Sequence, residues 1–226
     1  MVIKHHFVLV HGLMHGAWCW YKTVDLLRRT GHRVTTLDLA SCGTHPADPN
    51  TISKFTVYNQ PLVDLLLLLP ETEKILLVGH SMAGFSVLDT MERFHRILKV
   101  YISAVLLPSG HNLPTLQASK ILFLISIVLH VAGGQDVVLG EMLSRPYPAG
   151  AMMTAAITYT NEKHGTVPSV YIKCLQDKVI VPEVQEFLIE LNQISQIVEM
   201  ESDHSPMLSA PEKFHQILLA TSDKYA

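Results

Sequence analysis

The sequence predicts an α/β fold, with a mostly parallel central sheet flanked by helices. Two observations carry this expectation. Short apolar runs alternate with helix-patterned segments along most of the chain, as successive strand–helix–strand units require. With 226 residues, 48% of them hydrophobic and 16% charged, the chain can bury one substantial core and is too apolar to be disordered.

Each element follows from its local pattern. Phe7-Val8-Leu9-Val10 reads as a buried strand ending at His11-Gly12. Residues 20–29 form a helix with Val24, Leu26 and Leu27 inward and Gly31 as its stop. A strand at 33–37 ends at Asp38, and the Gly-, Pro- and Asp-rich stretch 41–50 is a loop. A helix over 55–69 is stopped by Pro70, a strand covers 74–78, and a helix covers 82–94. Strands follow at 100–106 and 170–174, then a helix over 181–192, a strand over 195–200 and a closing helix over 211–220.

Residues 107–166 break this rhythm. They hold a greasy run at 121–131, Gly133-Gly134, a turn with Pro146 and Pro148, and an apolar run over 149–157. We expect a core built from 1–106 and 167–226, with 107–166 inserted as a cap. The plainer alternative is one more buried helix of the core.

The strand at 74–78 runs into Gly79-His80-Ser81-Met82-Ala83-Gly84 and then a helix. A serine on such a turn is held in a strained backbone conformation, so the residues two positions away must be small. Alanine stands where glycine is usual, at Ala83, and Gly84 follows. The turn raises the Ser81 hydroxyl above the sheet and puts the Met82 N–H where an oxyanion can form. This is the nucleophile elbow of the α/β-hydrolase fold, in which an acid and then a histidine follow the serine in chain order. Asp177 follows the strand at 170–174, and His204 follows the strand at 195–200. Asp177 could instead cap the helix that starts near Pro182. Histidine is abundant, with thirteen copies, so position rather than identity selects His204. Asp203 is the competing acid but follows the wrong strand. The second oxyanion donor is expected in the loop after the first strand, at the Leu13 N–H beyond Gly12. His15 reads as a hydrogen-bonded structural histidine.

The run from Phe7 to Lys22, with Leu37-Asp38-Leu39-Ala40-Ser41, the elbow, Asp177-Lys178 and Asp203-His204, resembles the plant methylesterase and hydroxynitrile lyase family. The resemblance implies hydrolysis of small carboxylate methyl esters, of plant-hormone or alkaloid-precursor type, by a Ser81, His204 and Asp177 triad. Lyases of the family carry threonine in place of Gly12 and lysine in place of Ser205, so esterase is expected over lyase. Gly12, Ser205 and Leu106 are candidate substrate-binding positions. The chain is shorter than is usual for the family, and the shortage falls in 107–166. A hydrolase-like protein that binds a small apolar ligand with little turnover is the third reading.

Composition narrows the partners. A net charge of −3 with scattered basic residues, including Lys163-His164, gives no footprint for nucleic acid or an anionic membrane. Three cysteines without CxxC spacing fit neither a disulfide framework nor a zinc site. The greasy run at 121–131 is too short to span a membrane, and the N-terminus does not read as a signal peptide. A cytoplasmic protein acting on a small ester, without metal or cofactor, is expected, and the resemblance leaves room for a homodimer.

Overall fold

A computed structural model of the chain describes residues 4–94, 97–112, 134–153, 155–160, 162 and 167–225. The greasy run at 121–131, Gly133 and Lys163-His164 lie outside the described residues.

Six strands form one parallel sheet in the order β2-β1-β3-β4-β5-β6. They are β1 (His6–Val10), β2 (Arg33–Leu37), β3 (Ile75–His80), β4 (Ile97–Ile102), β5 (Ser169–Cys174) and β6 (Gln196–Met200). Their crossovers hold α1 (Tyr21–Arg29), α2 (Phe55–Leu68), α3 (Ala83–Met91), α4 (Gly134–Leu143), α5 (Ala149–Met153) and α6 (Pro182–Glu190). A one-turn helix α7 (Pro206–Ser209) and the terminal α8 (Pro211–Tyr225) close the chain.

The period-two alternation of the strands builds two cores. Val8, Val10, Ile75 and Leu77 point to one face, against Tyr58 and Leu62 of α2, Phe85 of α3 and Leu188 of α6. Phe7, Leu9, Leu76 and Val78 point to the other, against Trp20, Leu27 of α1, Met207 of α7 and Phe214 of α8. Because both faces are covered, β1, β3, β4 and β5 are buried along their whole length. Apolar runs therefore located β1, β3 and β5 well.

Several boundaries move, and the β4 strand moves most. It covers Ile97–Ile102, not 100–106. Ser103 adopts a left-handed φ of 41°, which takes the chain out of the sheet. Ala104, Val105, Leu106 and Leu107 are still buried, but they pack over the elbow rather than extending the strand. An apolar run records burial, and here burial outlasts the ladder. The α3 helix ends at Met91, three residues short of the expected end, and α8 runs on to Tyr225. In α2, Pro61 lies inside the helix, which nevertheless continues to Leu68.

The connection between β4 and β5 is anchored to the rest of the chain by polar contacts. Lys22 of α1 donates to Asp136 of α4 at 2.6 Å and to the Leu208 carbonyl at 2.9 Å, while the Tyr21 hydroxyl donates to Asp136 at 2.9 Å. Arg145, between α4 and α5, donates to the carbonyls of Gly43 and His45 at 2.9 and 3.2 Å. No helix among the described residues is long and apolar enough to cross a membrane.

Candidate active site

The strand order reverses between β1 and β3: the chain goes from β1 outward to β2, then returns to β3 on the other side. In open parallel sheets the crevice beyond the carboxyl ends at such a point is the usual ligand site. Val10 pairs with Gly79 there, so Gly12 and Leu13 leave β1 beside the turn that carries Ser81.

Ser81 has a φ of 56°, the left-handed region that a serine occupies only under constraint. Its peptide groups show what holds it. Its N–H donates to the Ile102 carbonyl at 3.0 Å, and its carbonyl accepts from Val105 N–H at 3.0 Å and Gly84 N–H at 3.1 Å. Ala83 fits at the first position of α3. At Gly84 even a methyl group is excluded, since a Cβ would lie 2.2 Å from the Val105 carbonyl oxygen. Gly12 is also confined, though less tightly: a Cβ would lie 2.9 Å from Ser81 Cβ and 3.0 Å from His80 Nδ1.

Asp177 follows β5 and His204 follows β6. His204 Nδ1–H donates to Asp177 Oδ2 at 2.7 Å, with both side chains buried. The carboxylate's other oxygen accepts from the N–H groups of Val179 and Ile180 at 2.7 and 3.0 Å. Asp177 is thus not the cap of α6, which starts after Val181 without a side-chain cap. Asp203, the rival acid, accepts instead from Ser205 N–H and the Ser209 hydroxyl, at 2.9 and 2.6 Å, and so serves α7. With Nδ1 protonated toward the carboxylate, neutral His204 presents a lone pair at Nε2. That atom is buried and has no hydrogen-bond partner among the described residues, so Ser81 and His204 are not hydrogen-bonded.

Neither the Leu13 nor the Met82 N–H donates a hydrogen bond among the described residues. Two buried donors beside a raised serine hydroxyl are what an oxyanion needs. The orientation of the Leu13 N–H is set by a histidine. His11 Nδ1–H donates at 2.8 Å to the Gly12 carbonyl, which belongs to the same peptide group, and His11 Nε2 accepts from Leu39 N–H at 3.1 Å. Leu106 is fully buried in the same apolar cluster as Leu13 and Met82, and Ser205 directly precedes α7.

Three more buried imidazoles belong to this region, and His80 and His15 lie near His204. His15 donates from Nδ1 to the Leu13 carbonyl at 2.9 Å and stacks on Trp18. Burial brings its pKa down to about 4, against the raising effect of that hydrogen bond. His80, the last residue of β3, donates from Nε2 to the His204 carbonyl at 2.7 Å. Burial, with His204 and His15 close by, pushes its pKa well below the usual histidine range. Burial lowers His11 as well. His11 and His80 carry no functional expectation from sequence. The parity of β3 could have placed His80: it shares the face of Leu76 and Val78, toward Trp20.

A strained serine on a strand–helix turn, an aspartate-bound histidine and two free amide donors at a topological switch point define an α/β hydrolase site. The comparisons agree. The alpha/beta hydrolase family model matches residues 7–217. Methylesterase 17 of Arabidopsis thaliana is 35% identical, with 91% of this chain and 87% of that protein covered. Methyl jasmonate esterase 1 of Vitis vinifera is 35% identical, with 92% and 93% covered. The crystal structure of tomato methylketone synthase I complexed with 2-tridecanone matches with a TM-score of 0.86 at 32% identity, covering all of both chains. The chain belongs to the α/β hydrolase family, on the branch of the plant methylesterases.

Proposed function

We propose that the protein is a serine carboxylesterase that hydrolyses methyl esters of small carboxylic acids. The observation that carries this is the Asp177-bound His204, buried with its Nε2 lone pair free, beyond the carboxyl ends of the strands as Ser81 is. In this reading Ser81 Oγ attacks the ester carbonyl while His204 Nε2 takes its proton. Asp177 holds the imidazole tautomer and stabilises the imidazolium. The Leu13 and Met82 amides receive the oxyanion, each contributing roughly 3 kcal/mol to transition-state stabilisation. His204 then returns the proton to the leaving methanol, and water, activated by the same nitrogen, releases the acid and Ser81. The Ser81–His204 hydrogen bond closes when substrate binds, as such bonds commonly do.

The names of the relatives support an ester as the substrate, and the site chemistry supports hydrolysis over cyanohydrin cleavage. Position 12 has no room for a threonine side chain unless Ser81 or His80 moves, and Ser205 supplies no cation. In the same reading, residues 107–166 form a shortened cap on a core of 1–106 and 167–226, and the protein works in the cytoplasm. The test is hydrolysis of p-nitrophenyl acetate and of a panel of plant carboxylic acid methyl esters by wild type and Ser81→Ala. Loss of product in Ser81→Ala is expected, and equal rates would sink the reading. Cyanide release from mandelonitrile above the buffer rate would instead favour the lyase.

A further inference from the structure

We propose that His80 is a positioning residue for the general base, acting through its hydrogen bond to the backbone of His204. The inference rests on the esterase reading and goes beyond it.

The argument starts from where the parts are attached. Ser81 rides on β3, whereas His204 follows β6, and the sheet places β4 and β5 between them. The His204 loop is tied to its neighbour β5 by Leu175 N–H to the Met200 carbonyl, Gln176 N–H to the Ser202 carbonyl, and the His204–Asp177 bond. None of these sets its distance from the serine. Among the described residues, one hydrogen bond joins the nucleophile turn to the base's loop: His80 Nε2–H to the His204 carbonyl, at 2.7 Å, fully buried. Because a carbonyl only accepts, the His80 proton must be on Nε2.

The His80 ring is itself confined. Its centroid lies 4.7 Å from that of His204, and His15 and Trp20 meet it edge-on at 5.9 and 6.4 Å. Gly12 closes its Nδ1 side. The ring therefore acts as a rigid spacer between the residue before Ser81 and the base. A displacement of about 1 Å at a reacting group can cost about 100-fold in rate, so a spacer at this place has leverage on kcat.

The experiment uses His80→Gln, whose amide nitrogen reaches the Nε2 position, and His80→Asn and His80→Phe, which cannot donate there. Readouts are kcat and KM for p-nitrophenyl acetate and the rate of Ser81 labelling by a fluorophosphonate probe, with Ser81→Ala as control. His80→Phe and His80→Asn should lose between about tenfold and 100-fold in kcat and in labelling rate, with KM within about twofold of wild type. His80→Gln should recover to within about threefold. If His80→Phe does not fold, the Gln–Asn pair decides alone. Wild-type kcat in His80→Asn, or equal losses in His80→Gln and His80→Asn, overturns the positioning role. A wild type that the probe fails to label, or labels no faster than Ser81→Ala, overturns the serine hydrolase reading instead, and this inference with it.

Discussion

Gly12 and Ser81 approach so closely that a methyl group on Gly12 would stand 2.9 Å from Ser81 Cβ, with His80 Nδ1 3.0 Å away on its other side. The peptide that carries the Leu13 N–H is therefore seated directly on the nucleophile turn. Gly12→Ala must push one of them aside. We expect kcat to fall about tenfold and stability to fall by about 1–3 kcal/mol. Steady-state kinetics with a thermal melt checks both, and unchanged values would show that the contact yields freely.

Asp177→Asn keeps the shape of the carboxylate but replaces one of its acceptor oxygens with an amide donor. An amide that accepts from Val179 and Ile180 turns its NH2 toward His204 Nδ1, favouring the wrong imidazole tautomer. A drop in kcat of roughly 10³- to 10⁴-fold is expected, with little change in melting temperature. Esterase rates at pH 7 to 8 measure it, and a loss below about tenfold would remove Asp177 from the mechanism.

Acid should destabilise the protein through its buried histidines. His15 titrates at about 4 when folded because burial disfavours its charged form, against about 6.5 when unfolded. Between those values the unfolded chain binds the extra proton, so the stability is complete above pH 6.5 and is lost as pH falls toward 4. The contribution is on the order of 3 kcal/mol for His15 alone, and His80 acts in the same direction. Urea melts between pH 7.5 and 4.5 should show a shallower pH dependence in His15→Phe than in wild type. Parallel curves would contradict this origin.

Lys22 joins three parts of the chain: its own helix α1, Asp136 at the start of α4, and the last turn before α8. Lys22→Met removes the cation that pairs with the nearly buried Asp136 carboxylate. A loss of about 1.5–3 kcal/mol is expected, with faster amide exchange in α4 than in the sheet. Uniform exchange would show that the latch has no local effect.

Much of the fold and of the site was legible in the sequence, for definite reasons. Strands buried on both faces write themselves as apolar runs, and Gly79-His80-Ser81-Met82 followed by the small residues Ala83 and Gly84 has few other uses at a strand–helix junction. Asp177 and His204 were placed by chain order after β5 and β6. The errors share a cause. β4 was placed three residues late at its start and four at its end, because residues 104–106 are buried as completely as a strand while making contacts of another kind. The short α7 was missed because Ser205-Pro206 looks like a loop, although Asp203 braces it through Ser205 N–H and the Ser209 hydroxyl. His80 went unremarked because a histidine among thirteen has no local signature, and its partner is a backbone carbonyl 124 positions away.

The grip on Ser81 has one more consequence. The chain segments that hold the serine in its left-handed pose end at Val105, whose N–H and carbonyl meet Ser81 and Gly84. The connection from β4 to β5 that carries α4 and α5 runs on from there. A change of length in that connection beyond Val105 therefore leaves untouched the contacts that fix the reactive hydroxyl in its register.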